Sequence, residues 1–201
     1  MTKIKMCGMR RECDIKYVNE IKPDYIGFIF AKGRTRYIEP EKAYSLRQKL
    51  ADGITTVGVF LDEEVETVIS IAKKRIFDMI QLHGNEDETY ISKIRENVSL
   101  PIIKVFSVKS EKDIIKANAS SAEYVLLDYG NGGTGKAFDW SLLDEMKRDY
   151  FLAGGLDVDN AGEAVRKYHP YAVDVSSGIE TDGMKDEKKM IKFASAVRAE
   201  E

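Results

Sequence analysis

Short apolar runs alternate along this chain with longer segments whose apolar positions recur at helical spacing. Lys3-Ile4-Lys5-Met6 predicts a first strand, followed by a helix over about Arg11 to Glu20 with Ile15 and Val18 on one face. Tyr25–Phe30 and Thr55–Phe60 predict the second and third strands. Between them Pro40 opens a helix through Leu50, its fixed φ suiting a first turn. Val65, Val68, Ile69 and Ala72 mark a helix over about Glu63 to Lys74. Asp78–Leu82, Pro101–Phe106, Tyr124–Asp128, Tyr150–Ala153 and Ala172–Val175 continue the strand series. Helical segments follow these strands near Glu86–Glu96, Ser110–Asn118, Trp140–Lys147, Asn160–Lys167 and Asp186–Val197. Strands that are apolar throughout are buried on both faces, which implies a parallel sheet. Eight strand–helix units with short connections predict an α/β fold, a closed (β/α)8 barrel in one domain over residues 1–201.

Composition narrows the chemistry. The 201 residues carry a net charge of −3, so no global basic field points to nucleic acid or an anionic membrane. No apolar stretch approaches a membrane span and the N-terminus has no long apolar run, which makes the cytoplasm the expected location. Cys7 and Cys13 have five residues between them and are not a Cys-x-x-Cys pair, and the histidines are two, His83 and His169. No metal site is expected from so few soft ligands.

Barrels of this kind carry their active sites at the C-terminal ends of the strands. That rule selects Cys7-Gly8, Phe30 with the loop to Arg36, Phe60 and Asp62, Gln81 and His83, Lys104 and Phe106, Asp128, Gly154-Gly155, and Ser176-Ser177-Gly178. Glycine loops after strands 7 and 8 lie where such barrels hold phosphate, because glycine lets backbone N–H groups approach an anion. A short helix after Ser177-Gly178 would aim its positive end at the same point. The loop Gly130–Lys136, with Gly133, Thr134 and Gly135, would fold over the same group. Cys7, flanked by Lys5 and Arg10, is either a packed thiol or a base or nucleophile. Partial burial of Asp128 would raise its pKa, as suits a general acid. Arg36 is a solvated charge or a bidentate clamp for a carboxylate. His83 in its Leu-His-Gly turn is a structural hydrogen-bonder or a site residue.

The set resembles the phosphoribosylanthranilate isomerase family. The matching pieces are Lys5-Met6-Cys7-Gly8, Gly27–Phe30, Arg36-Tyr37-Ile38, Val57–Phe60, Gln81–Gly84, Leu127-Asp128, Gly132–Lys136, Gly154-Gly155-Leu156 and Asp174–Glu180, in order from first strand to last. The resemblance implies an Amadori rearrangement of N-(5-phosphoribosyl)anthranilate in tryptophan biosynthesis, with Cys7 as general base and Asp128 as general acid. It implies that Arg36 holds the anthranilate carboxylate, that Gln81, His83 and Asp174 contact substrate, and that the three glycine loops bind phosphate. No cofactor is implied, and a monomer or homodimer is expected. Two departures stand out: Met6 replaces the usual Ile, and Arg34 stands where the family often has Ser.

Two other readings fit part of the pattern. The histidine-pathway aminoaldose isomerase, or a dual-substrate relative, performs the same rearrangement with paired aspartates, but strand 1 here ends in Cys7. A catalytically silent barrel that binds a phosphorylated metabolite or a partner would leave Cys7 and Asp128 replaceable.

Overall fold

The computed structural model describes residues 1–128 and 140–200. Eight parallel strands close into a barrel in sequence order: β1 (Lys3–Cys7), β2 (Tyr25–Ile29), β3 (Thr55–Phe60), β4 (Met79–Leu82), β5 (Ile102–Ser107), β6 (Tyr124–Asp128), β7 (Tyr150–Ala153) and β8 (Ala172–Val175). The pairing of Lys3–Met6 with Ala172–Val175 makes the closure. Around it lie α1 (Glu12–Ile21), α2 (Pro40–Arg47), α3 (Val65–Lys73), α4 (Glu88–Arg95), α5 (Glu111–Ala119), α6 (Ala161–Tyr168) and α7 (Glu187–Arg198).

Alternation along each strand divides the apolar side chains into two layers. One set fills the barrel itself, including Tyr25, Val57, Met79, Ile103, Leu126 and Phe151. The other faces the helices and includes Ile4, Met6, Phe28, Phe60, Ile80, Leu127 and Phe193. The N-terminal end of the barrel is plugged by Lys3, whose Nζ donates to the Tyr171 hydroxyl at 2.8 Å, with the Tyr25 hydroxyl 3.0 Å from that of Tyr171. At the opposite end the described residues line two cavities.

Helix starts follow local rules. Asp87 accepts from Tyr90 N at the start of α4, Asp186 accepts from Lys189 N at the start of α7, and Pro40 occupies the first turn of α2. The predicted helix near Trp140 to Lys147 is instead a 3-10 helix, Trp140–Glu145. A larger difference follows β8. No helix begins after Ser177-Gly178; the chain forms a small antiparallel hairpin, β9 (Glu180–Thr181) and β10 (Met184–Lys185). Asp182 and Gly183 turn it, with φ of 51° and 72°. Positive φ at both central residues is what a tight two-residue hairpin turn requires.

Strand parity corrects four candidates. Phe30, Phe60 and Phe106 pack into the layer between barrel and helices, not into the mouth. Lys104 also points away from the mouth, giving its Nζ to Glu86 Oε2 at 2.8 Å and to Gly84 O at 2.7 Å. Glu86 in turn accepts from Asp62 N and Gly84 N, so this buried pair fixes the turn that carries His83.

Candidate active site

Cys7 closes β1 on the inner side of the barrel and is 5% exposed. Gly27 on the neighbouring strand leaves the room its sulfur occupies: a β-carbon there would lie 2.5 Å from Sγ. Two residues below, Lys5 is fully buried and donates to Asp174 Oδ1 at 2.8 Å. Burial pushes the Cys7 thiol up, Lys5 and Lys185 pull it down, Asp174 pushes it up again, and the balance is above the ordinary thiol value. Lys5 is held above its usual value, because Asp174 and the Cys7 sulfur outweigh the cost of burying its charge. Arg10, expected beside Cys7, turns elsewhere: its guanidinium donates to Thr35 O and Gly183 O.

Asp128 ends β6 with its side chain 24% exposed. His83 Nε2 lies 3.1 Å from Asp128 Oδ2, and Gln81 Nε2 lies 3.4 Å from His83 Nδ1. An amide N–H can only donate, so that contact makes Nδ1 the acceptor and puts the imidazole proton on Nε2, facing Asp128. Gln81 is buried, and its Oε1 has no hydrogen-bond partner among the described residues. A buried acceptor left open at the mouth is an invitation to a ligand donor.

Arg36 stands over the opposite side of the mouth. Its Nε and Nη2 donate to the two oxygens of Glu180 at 2.7 and 2.6 Å. Glu180 also accepts from Lys185 Nζ at 2.7 Å, and Lys185 reaches Ser176 O at 2.8 Å. Burial alone would raise the Glu180 carboxyl, but hydrogen bonds from Arg36 and Lys185 bring it down to about 2. Burial lowers Lys185 despite its pairing with Glu180. The hairpin that replaced the expected helix thus ties the Arg36 loop to the strand 8 loop. Sequence reasoning assigned no role to Glu180 or Lys185. The signal for their placement was Asp182-Gly183, a hairpin-turn dipeptide between them.

The strand 7 and strand 8 loops meet edge to edge. Asp157 bridges Gly178 in parallel, and a β-carbon on Gly178 would collide with Leu156 O. Gly154 and Gly155 have φ of 95° and 70°, conformations that favour glycine. Asn160 Nδ2 holds Gly155 O at 2.9 Å, and Asp157 Oδ1 accepts from Asp159 N and Asn160 N. These contacts fix the loop before any ligand arrives.

One cavity of about 230 Å³ gathers Cys7, Asp128, Asp174, Gly154, Gly155, Ser176 and Ser177, with Gln81, His83 and Arg36 on its wall. A second cavity of about 480 Å³ shares Ile29, Arg36, Val59 and His83 with it and extends along the Gly33–Arg36 loop. Of the expected site residues, Gly178 supports the loop pair, whereas Gly133, Thr134 and Gly135 lie outside the described residues. No group of three or more His, Cys, Asp or Glu arranged for a metal occurs among the described residues. No helix among them is long and apolar enough to cross a membrane.

An acid and a thiol facing one cavity, beside two preset glycine loops at the C-terminal end of a (β/α)8 barrel, define an enzyme of the phosphosugar-binding barrel class. Residues 4–196 match the family model described as N-(5'phosphoribosyl)anthranilate (PRA) isomerase, and the chain belongs to that family. It is 44% identical over 203 residues to N-(5'-phosphoribosyl)anthranilate isomerase of Endomicrobium trichonymphae, covering 99% of this chain and 100% of the relative. The crystal structure of the Thermotoga maritima phosphoribosyl anthranilate isomerase superposes with a TM-score of 0.88 at 34% identity, covering 99% of this chain and 100% of that one. Another phosphoribosyl anthranilate isomerase, solved in complex with reduced 1-(o-carboxyphenylamino)-1-deoxyribulose 5-phosphate, gives a TM-score of 0.86 at 33% identity, covering 99% of this chain and 100% of that one.

Proposed function

We propose that this chain converts N-(5-phosphoribosyl)anthranilate to 1-(2-carboxyphenylamino)-1-deoxyribulose 5-phosphate, an Amadori rearrangement of tryptophan biosynthesis, in the cytoplasm. The observation that carries this reading is the convergence of Cys7, Asp128 and the Gly154-Gly155 and Ser176-Ser177 loops on one cavity. It is supported by the relative whose structure holds a reduced form of that product.

The sugar phosphate sits against the two glycine loops, where backbone N–H groups and the Ser177 hydroxyl meet its oxygens. That places the ribose between Asp128 and Cys7. Asp128, as the acid, gives its proton to the ribose ring oxygen; the C1–O bond breaks and the anilino nitrogen lone pair forms the C1=N iminium. His83 Nε2 donates to Asp128 Oδ2 and so directs the transferable proton to Oδ1. Cys7, as thiolate, takes the C2 proton; the C2–H electron pair forms C1=C2 and neutralises the iminium nitrogen. The resulting enolamine loses its C2 hydroxyl proton and gains one at C1, which leaves the ketone. Protons and electrons balance with one acid and one base.

Lys5 is the positioning cation beneath Cys7: its positive charge lowers the cost of forming a thiolate in a buried place. Asp174 holds that lysine, and the open Oε1 of Gln81 accepts from a substrate hydroxyl. Arg36, anchored by Glu180, turns its remaining Nη1 donors toward the ring carboxylate. Every residue named lies on one chain, so a monomer or a homodimer carries the same site.

The test is a fluorescence assay with freshly made N-(5-phosphoribosyl)anthranilate. Decay of the anthranilate-type fluorescence above the uncatalysed rate, slowed by inorganic phosphate in competition with substrate, is expected. Unaltered decay on adding the protein would contradict the assignment.

A further inference from the structure

The loop between β2 and α2 carries a second guanidinium. Arg34 is exposed and lines the larger cavity together with Gly33, Thr35, Arg36 and His83. The described lining of that cavity contains no acidic side chain. Arg34 has no ion-pair or side-chain hydrogen-bond partner among the described residues.

The backbone beneath it is nevertheless set. Arg34 N donates to Ala31 O at 3.3 Å and Arg34 O accepts from Tyr37 N at 3.0 Å. Gly33, with φ of 78°, makes the turn between them. Arg10 clasps the loop from outside, donating to Thr35 O at 2.5 Å and to Gly183 O at 3.0 Å. The loop therefore presents Arg34 to the cavity from a fixed Cα, with its charge uncompensated.

Arg36 is in the opposite state. The Nε–Nη2 edge, the one shaped for a bidentate carboxylate, is filled by Glu180. Arg36 keeps its Nη1 donors for a ligand carboxylate, with part of its charge offset by Glu180. Arg34 offers a complete guanidinium in the same cavity, whose apolar wall of Ile29, Val59 and Leu61 suits an aryl ring. We propose that Arg34 is a specificity-determining residue of this enzyme, supplying beside the Nη1 donors of Arg36 a second, unneutralised cation for the ring carboxylate of the arylamine substrate. This inference rests on the isomerase reading of the site.

The test compares two inhibitors on wild type and Arg34→Met, which keeps an unbranched apolar stem without the charge. One inhibitor is reduced 1-(2-carboxyphenylamino)-1-deoxyribulose 5-phosphate; the other is its phenylamino counterpart lacking the carboxylate. Arg34→Met is expected to weaken the carboxylate inhibitor about tenfold and the other by less than about twofold, with KM raised and kcat kept. Arg34→Lys should recover part of the loss, and added salt should shrink the difference between the two inhibitors. Equal weakening of both inhibitors, or unchanged affinity for the carboxylate one, would overturn the role of Arg34. Wild-type turnover of N-(5-phosphoribosyl)anthranilate is recorded in the same series. Its absence would overturn the isomerase reading, whereas normal wild-type turnover with an indifferent Arg34→Met overturns only the inference about Arg34.

Discussion

Gly27 faces the sulfur of Cys7 so closely that a β-carbon at Gly27 would stand 2.5 Å from Sγ. The backbone of Cys7 would be 3.3 Å from the same carbon, so the sulfur has to give way first. Gly27→Ala should therefore move the thiol off its position while adding one methyl to a packed barrel. Such overpacking costs about 1–3 kcal/mol of stability. A folded variant with a lowered melting temperature and kcat reduced by at least about tenfold is expected, since a misplacement of about 1 Å can cost about a hundredfold. Wild-type kcat in a folded Gly27→Ala protein would show that the thiol position is not critical.

The acid can be removed with little change of shape. Asp128→Asn keeps the hydrogen bond to His83 and loses the transferable proton. General acid catalysis contributes roughly 10²–10⁴-fold, so kcat should fall by that order with KM changed far less. His83→Gln should produce a smaller fall, because the histidine orients the acid without being the donor. Steady-state kinetics of both variants decide this; a larger loss in His83→Gln than in Asp128→Asn would exchange the two roles.

The thiol gives a pH signature with a definite sign. Burial places the Cys7 thiol above its ordinary value despite Lys5 and Lys185. The reactive form is the thiolate, so in the free enzyme both alkylation of Cys7 and the base-dependent part of kcat/KM should keep rising through and beyond the ordinary thiol range, about 8.5. Iodoacetamide labelling against pH in a Cys13→Ser background, with protection by saturating product, measures it. A labelling midpoint below that ordinary value would mean that Lys5 and Lys185 outweigh burial.

Glu180 makes a prediction about acid stability. Its folded carboxyl is brought from an ordinary 4.5 down to about 2 by Arg36 and Lys185. A lowered carboxyl stabilises the fold above its unfolded value, and the contribution is lost as pH falls from about 4.5 to about 2. Glu180→Gln should be less stable than wild type at neutral pH, with the gap closing across that window. Denaturant titrations at several pH values test this; a gap that is constant with pH would place the cost in packing and not in the charge pair.

Much of the fold was legible because barrel strands buried on both faces read as unbroken apolar runs: Tyr124–Asp128, Tyr150–Ala153 and Ala172–Val175 match their strands residue for residue. Periodicity says less about which way the last residue of a strand points. Strand-end position alone therefore groups Lys104 and Phe106 with mouth residues, although their parity turns them toward the helices. The helix expected after Gly178 failed for a different reason. Asp182-Gly183 is a local turn signal stronger than the general habit of barrels at that place, and it makes a hairpin. The candidate residues Cys7 and Asp128 could be picked out because position at a strand end is a sequence property, whereas Asp174 came only with the family resemblance. The anchoring of Arg36 by Glu180 could not, since that contact joins residues 144 apart and depends on barrel closure. Nor could the upward push on the Cys7 thiol, which comes from the depth of the barrel around it.

If Cys7 takes the proton from C2 of the ribose, a label at that carbon reports the transfer. N-(5-phosphoribosyl)anthranilate carrying tritium at C2 would be incubated with wild type and with Cys7→Ala, and release of tritium to water followed beside product formation. Loss of general base catalysis is worth roughly 10²–10⁴-fold, so Cys7→Ala should release label slower than wild type by that order while still binding inorganic phosphate. Release from C2 by Cys7→Ala at the wild-type rate would contradict the account and assign the proton to another group in the mouth.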